Sequence, residues 1–298
     1  MDELRIKAQG GCFDVAAITE SRANEDISDS ELNIDGYTLY RKDRLTSTGA
    51  KGGGMLLYVK ETLKSCILQG LTYEEFQDSV WCQIDLEDHS VAVGVCYRST
   101  SNTKENNESL LQLLDKAACQ NIRSHLVIFG DFNYPEINYE RFAVERSIVT
   151  EACKFFHKTN DLFLHQNVSH WTRSRPGQQP SILDYVFTDE HNLVEDIKYT
   201  APLGKSDHIC IELTYIWNQV DCEDNSSPKY NFWKGDYSKI QDELRAVDWD
   251  KRLNSTNVEE AWTFFRNTLA RLMQLYVPFK QALKNKARKK HDGCYGIK

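Results

Sequence analysis

The sequence predicts an α/β domain built on mixed β-sheets, followed by a separate helical module. Three observations predict it. Short apolar runs alternate with turn chemistry from Phe13 to about Leu213. Helical periodicity fills only some gaps between those runs, so several strands pair without a crossover helix and the sheets cannot be all parallel. Composition then changes after Tyr215, where Asp221-Cys222-Glu223-Asp224-Asn225-Ser226-Ser227-Pro228 reads as a polar linker. A chain of 298 residues with 41% apolar content is long enough to bury a large core.

Taken in order, strands are expected near 13–19, 54–59, 80–85, 91–97, 126–129, 182–188 and 208–213. The glycines Gly52-Gly53-Gly54 lead into the second of these. No Gly-Lys-Ser/Thr follows and no capping residue opens a helix, so a hairpin or bulge is expected there rather than a phosphate loop. Helices are expected over 107–119, where Leu110, Leu111, Leu114 and Ala118 recur at helical spacing, and over 147–158, with Val149, Ala152, Phe155 and Phe156 on one face. Beyond the linker, Val258, Trp262, Phe265, Leu269, Leu272 and Tyr276 form an amphipathic helix that stops before Pro278, its stripe a packing surface. The expected organisation is a main domain over 1–216, a linker over 217–229 and a helical connector with a basic tail over 230–298.

Composition excludes several classes. The nine cysteines are scattered, odd in number and lack a Cys-x-x-Cys pair, which argues against a zinc knuckle or a disulfide framework. The start Met1-Asp2-Glu3-Leu4-Arg5 has no apolar core behind a basic end, and no stretch approaches the roughly 20 apolar residues of a membrane span. A nuclear or cytoplasmic protein with no membrane partner is therefore expected, and the sequons at Asn107, Asn167, Asn225 and Asn254 read as chance matches. Net charge is −8, but Lys280, Lys284, Lys286, Arg288, Lys289, Lys290 and Lys298 against Asp292 put +6 on the tail and leave −14 elsewhere. A body this acidic cannot hold phosphates by bulk attraction. A phosphate-handling site would need a divalent cation and local Lys/Arg contacts, while the tail could supply nonspecific nucleic-acid affinity or be a solvated helix end.

The chemistry concentrates at strand ends. Gly130-Asp131-Phe132-Asn133 follows the apolar run Leu126-Val127-Ile128-Phe129, setting a carboxylate and an amide at the mouth of a buried strand, and Ser206-Asp207-His208 repeats the arrangement ahead of Ile209-Cys210-Ile211. With Glu20 after Val15-Ala16-Ala17-Ile18 and Asp184 inside Ile182-Leu183-Asp184-Tyr185-Val186-Phe187, four carboxylates are aimed inward by apolar strands. Carboxylates without His/Cys partners at zinc spacing suit a hard cation, Mg²⁺ or Mn²⁺. His208 is either a phosphate ligand or a general acid/base, and Asp184 is the carboxylate that would fix its tautomer. The plainer alternative is that Asp207 caps a turn and His208 fills a core gap.

Glu20, Tyr97, Asp131, Asn133, Asp184, Asp207 and His208 together resemble the active-site series of the endonuclease/exonuclease/phosphatase superfamily of metal-dependent phosphodiesterases. Within it, Ala17-Ile18-Thr19-Glu20-Ser21, the stretch from Asp35-Gly36-Tyr37 through Arg41-Lys42-Asp43-Arg44 to Gly52-Gly53-Gly54, Gly130 to Asn138, and Pro202-Leu203-Gly204-Lys205-Ser206-Asp207-His208 are similar to the endonuclease of non-LTR (LINE-type, jockey-like) retrotransposons. The resemblance covers about two-thirds of the chain and implies a four-layer α/β sandwich, two mixed β-sheets flanked by helices, with the connector as a C-terminal helical extension. It implies a DNA endonuclease whose nick leaves a 3′-hydroxyl, the primer for target-primed reverse transcription by a reverse transcriptase module of the parent element. Carried over residue by residue, Glu20 binds the cation with Asp207, Asp131 positions the attacking water, Asn133 and Tyr97 contact the phosphate, and His208, oriented by Asp184, stabilises the pentavalent state. Thr172, with Arg173 after it, matches a substrate-contacting threonine, though Trp171 stands where the family more often has proline, and Ser206 would hydrogen-bond beside the site. The family also opens with a strand carrying a cation-binding asparagine, and the chain is expected to begin after it. Two alternatives follow: an inactive or domesticated remnant that acts as a binding module, and a phosphatase of the same superfamily.

Overall fold

The computed structural model describes residues 1–11, 13–43, 53–71, 76–86, 89–120, 124–144, 150–216, 229–254, 257–280 and 294–297. They fall into two compact units, one of Met1–Val220 with Ala287–Lys298, the other of Asp221–Lys286. The first unit runs α1 (Asp2–Gln9), β1 (Val15–Ile18), α2 (Asp29–Leu32), β2 (Tyr37–Lys42), β3 (Met55–Lys60), β4 (Lys64–Ile67), β5 (Ser79–Asp85) and β6 (Ser90–Tyr97). It continues through α3 (Lys104–Gln120), β7 (Ser124–Asp131), a small hairpin of β8 (Ile137–Asn138) and β9 (Ala143–Val144), α4 (Glu151–Asp161), β10 (His165–Gln166), β11 (Asp184–Thr188), β12 (Val194–Thr200) and β13 (Cys210–Tyr215). The second unit holds β14 (Lys229–Tyr230), α5 (Tyr237–Arg245), α6 (Trp249–Asn254), α7 (Val258–Tyr276) and β15 (Phe279–Lys280), and the chain then contributes β16 (Cys294–Ile297) to the first unit.

Two six-stranded mixed sheets form the first unit, in the orders β12-β13-β16-β1-β3-β2 and β10-β11-β7-β6-β5-β4. Strand alternation explains the layering, because successive side chains point to opposite faces. Val15 and Ala17, Leu57 and Val59, Val93 and Val95, Val127 and Phe129, and Ile211 and Leu213 meet in one core between the sheets. The residues between them face outward: Trp81, Ile128, Tyr185 and Phe187 pack with Leu110, Leu114, Phe155 and Phe156 of α3 and α4, and Ala16, Ile18, Leu56 and Tyr58 pack with Leu4, Ala8 and Leu32 of α1 and α2. The result is a four-layer α/β sandwich. Helix ends are capped locally: Thr150 Oγ1 accepts from Cys153 N at 3.3 Å to start α4, and Asn257 Oδ1 accepts from Glu260 N at 2.9 Å to start α7.

The strands expected from apolar runs all occur within a few residues of their expected limits. β2, β4 and β12 are not among them, and each lies at the outer edge of a sheet. β4 and β12 have no buried positions, so neither gives an apolar run. Gly53 and Gly54 sit at φ 89° and 81°, and their carbonyls accept from Arg22 N and Ser21 N. This segment therefore braces the chain just past β1, immediately beside Glu20, while Gly52 lies outside the described residues. The expected helix at 147–158 begins at Glu151, its first residues also lying outside the described set.

In the second unit, Trp249 packs its ring 6.1 Å from Phe264 and 5.9 Å from Phe265, and Leu272 of α7 is buried. The basic tail between 281 and 293 lies outside the described residues. Among the described residues, no helix is long and apolar enough to cross a membrane.

Candidate active site

Sheet register assembles the site. β6 and β7 run parallel with Tyr97 opposite Asp131, and β7 and β11 run antiparallel with Asp131 opposite Asp184. Tyr97, Asp131 and Asp184 therefore stand in one row at the end of the sheet. Two residues before them on β6 and β7, and two after on β11, are Val95, Phe129 and Val186 of the inter-sheet core. The row is thus the last layer of that core, where the apolar packing gives way to carboxylates. Gly130 is required beside this row: a Cβ there would lie 2.3 Å from the carbonyl oxygen of Cys96 on the parallel neighbour.

His208 reaches the row from the loop ahead of β13, and its Nδ1 donates to Asp184 Oδ2 at 2.7 Å. Asp131, Asp184 and His208 each offer a ligand-type atom, all within 4.8 Å of one another. Burial would depress the His208 imidazolium, but the hydrogen bond to Asp184 and the charges of Asp184, Asp131 and Asp207 outweigh it and lift its pKa to about 9. An imidazole that holds its proton is a hydrogen-bond donor and not a metal ligand. Burial, then the neighbouring charge of Asp184, raises the Asp131 carboxyl well above the usual range, with Glu20 adding to the effect and His208 opposing it.

The remaining residues surround this cluster. Tyr97 Oη donates to Glu20 Oε1, and burial, followed by that bond and the charges of Glu20, Asp131 and Asp78, holds its phenol protonated. Glu20 and Asn133 both sit in the left-handed region, at φ 52° and 51°, a conformation Asn tolerates better than Glu and one that clusters at functional sites. Asn133 N donates to Asp131 Oδ1 at 3.2 Å and Asn133 Nδ2 to Arg98 O at 2.9 Å. Ser206 Oγ accepts from His208 N at 3.1 Å, which shapes the turn beneath the histidine.

Thr172 is wholly buried. Its Oγ1 accepts from Leu183 N at 3.0 Å and Asp184 N at 3.1 Å, so it fixes the start of β11 and with it the Asp184 carboxylate. Asp207 stands apart from the cluster, clasped by Arg173 Nε at 2.7 Å and by Arg175 Nε. Its partial burial opposes ionisation, but the two guanidinium hydrogen bonds prevail and lower its pKa to about 2. The expected site residues therefore form three sets: Asp131, Asp184 and His208 in direct contact range, Glu20 tied to Tyr97, and Asp207 tied to Arg173.

Sequence reasoning does not single out two residues of this region. Arg98 is buried, with Nε donating to Asn107 Oδ1 at 2.9 Å, Nη1 donating to Asn133 O at 3.2 Å and its guanidinium carbon 4.0 Å from the centroid of the Tyr134 ring. It clamps the loop that carries Asn133. Its signal is a charge directly after the apolar strand β6. Arg175 gives no comparable signal, since a polar loop is an ordinary place for an arginine.

The donor set fits a divalent cation. Asp131 and Asp184 are nearly inaccessible carboxylates side by side, and Asp184 Oδ1 is a buried acceptor with no hydrogen-bond partner among the described residues. Two negative charges held this close in a buried site repel each other, and a hard cation between them relieves that repulsion. A cavity of about 470 Å³ is bordered by Asn138, Gln166, Ser181 and Tyr185, and none of Asp131, Asp184 and His208 lines it.

The chain is similar to known proteins in sequence over part of its length and in fold. Residues 91–212, from β6 to β13, match the family model described as endonuclease-reverse transcriptase. The endonuclease domain of TRAS1, a telomere-specific non-LTR retrotransposon, shares the fold with a TM-score of 0.52 at 16% identity, over 70% of this chain and 87% of that one. The 3′ phosphatase NExo from Neisseria, bound to a product DNA hairpin, shares it with a TM-score of 0.52 at 13% identity, over 70% of this chain and 91% of that one. No match was found among curated proteins.

Proposed function

We propose that the chain is a member of the endonuclease/exonuclease/phosphatase superfamily and a metal-dependent phosphodiesterase that nicks DNA, as in target-primed reverse transcription of a non-LTR retroelement, a reading supported by the family match over residues 91–212 and by the shared fold. The observation that carries the reading is the Asp131–Asp184–His208 cluster at the rim of the sandwich, with its 2.7 Å His208–Asp184 hydrogen bond.

Glu20 and Asp207 are the proposed ligands for Mg²⁺ or Mn²⁺, with Asp131 and Asp184 adding to the negative field that holds it. Arg173 and Arg175 both engage Oδ2 of Asp207, which leaves Oδ1 as the oxygen it offers. When bound, the cation supplies Lewis-acid polarisation of the phosphate and neutralises its charge.

The chain's own residues account for the rest. Asp131, whose raised pKa makes it a better proton acceptor than an ordinary carboxylate, orients water and takes its proton as the water oxygen attacks phosphorus. The His208 imidazolium, held by Asp184, donates from Nε2 to the oxygen on which negative charge grows. Tyr97, protonated, and the amide of Asn133 contact the phosphate, and Arg173 lends positive charge in an acidic body. The bond from phosphorus to the 3′ oxygen breaks, and that oxygen takes a proton from solvent. Thr172 acts through Asp184 as a positioning residue.

Conversion of supercoiled plasmid to open circle, with and without EDTA, tests the reading. Nicking is expected only with Mg²⁺ or Mn²⁺, falling at least about 100-fold in Asp131→Asn and His208→Ala. Nicking that survives EDTA, or is unchanged in both variants, sinks it. The arginine clasp on Asp207 favours a second reading, a non-catalytic DNA-binding module, which requires DNA binding with no nicking under any divalent metal.

A further inference from the structure

We infer that the slot between β1 and β13 is a strand-acceptor site, and that its occupant, the chain's own residues Cys294–Ile297, holds the two halves of the active site in register. β16 is an internal strand of its sheet, with β13 on one side and β1 on the other. It runs parallel to β1 and antiparallel to β13. β1 and β13 do not pair with each other, and adjacent strands stand about 4.8 Å apart, so the span across the slot is about twice that and too wide for a direct hydrogen bond. With the slot empty, two strands from the middle of the sandwich would turn their donors and acceptors toward a gap. All four residues of β1 are buried.

The register gives the slot its consequence for the site. Ile297 stands opposite Ala17 on one side and Ile211 on the other. Glu20 lies three residues beyond Ala17 as the chain leaves β1, and His208 lies three residues before Ile211 as it enters β13. Given the strand directions, both sit at the same edge, each three residues along the chain from the row that Ile297 bridges. β16 is therefore the spacer that sets Glu20 against His208. Recognition in such a slot is mainly through the main chain, as when an extended peptide is added to a sheet edge, and so tolerates changes of side chain. The chain reaches the slot only after leaving the first unit at Val220 and returning at Ala287, so the nuclease sheet is closed by residues that follow the whole helical unit.

Hydrogen–deuterium exchange on the full chain, on a chain ending at Gly293, and on full-length Gly296→Pro and Ile297→Val tests this, with β1 and β13 as reporters. Shortening is expected to speed exchange in Val15–Ile18 and Cys210–Tyr215 at least about tenfold, because their amides lose partners. A synthetic peptide of residues 290–298 added in trans restores protection. Gly296→Pro, which removes a ladder donor, reproduces the loss, and Ile297→Val does not. Unchanged protection of both strands in the shortened chain and in Gly296→Pro overturns the inference, as does a shortened chain unprotected throughout that the peptide fails to restore. The effect on catalysis rests on the nuclease reading: nicking is expected to fall at least about tenfold with loss of the strand and to return with the peptide. Exchange that behaves as expected in a protein that never nicks DNA would sink the nuclease reading and leave the strand acceptor standing.

Discussion

At the scale of single residues, the site is a balance of charges that burial would otherwise forbid. His208 is the cation of that balance and Asp184 its fixed partner. A histidine with an ordinary pKa near 6.5 in the unfolded chain and about 9 in the folded one stabilises the fold fully below about pH 6.5, and that stabilisation is lost as pH rises through 9. The drop in melting temperature between pH 6 and pH 9.5 is therefore expected to be larger in the native protein than in His208→Gln. Equal drops would show that the histidine carries no such charge. Glu20, Asp131 and His208 were legible because each stands where an apolar run meets a polar cluster, and Asp184 because a charge inside an apolar strand is costly unless it is paired. The arginine clasp on Asp207 was not legible, since it depends on the loop at 173–175 folding back across the bridge from Arg173 to His208.

At the scale of elements, legibility followed burial. The interior strands β1, β3, β5, β6, β7, β11 and β13 read as apolar runs because both their faces are covered. Edge strands such as β4 and β12 carry charge on their open sides, and their sequence looks like loop. β16 is the instructive exception, an interior strand whose four residues follow a basic, polar stretch and give no apolar run. Its place is dictated by the neighbours it joins. Helix α4 shows how packing reaches the chemistry. Phe155 lies 4.9 Å from the Phe132 ring and 5.0 Å from Tyr134, the residues on either side of Asn133. Phe155→Ala is expected to cost about 3–5 kcal/mol in denaturant unfolding, and to lower nicking by loosening the loop that holds Asp131 and Asn133. A loss below about 1 kcal/mol would mean that the cluster does not seat this loop.

At the scale of the whole molecule, the proposed nuclease would have to engage a polyanion with an acidic body, through a few local positive groups and a basic tail. The net charge of −8 makes nonspecific attraction to DNA weak, so the cations that matter are those at the site and those at 284–290. Replacing Arg288, Lys289 and Lys290 with Gln is expected to weaken DNA binding and to reduce the slope of log affinity against log salt by up to about 2.7, at about 0.9 per phosphate contact on duplex DNA. An unchanged slope would remove the tail from the interface. The four-layer architecture gathers carboxylates from the end of β1, from β7 and β11, and from the loop before β13 at one rim, although they are spread from position 20 to position 207. Diffraction from crystals soaked in Mn²⁺ probes that convergence. An anomalous peak within coordination distance of the Glu20 carboxylate, at the rim shared with Asp131, and its disappearance in Glu20→Gln, is the predicted result. Manganese that binds elsewhere, or not at all, would contradict it.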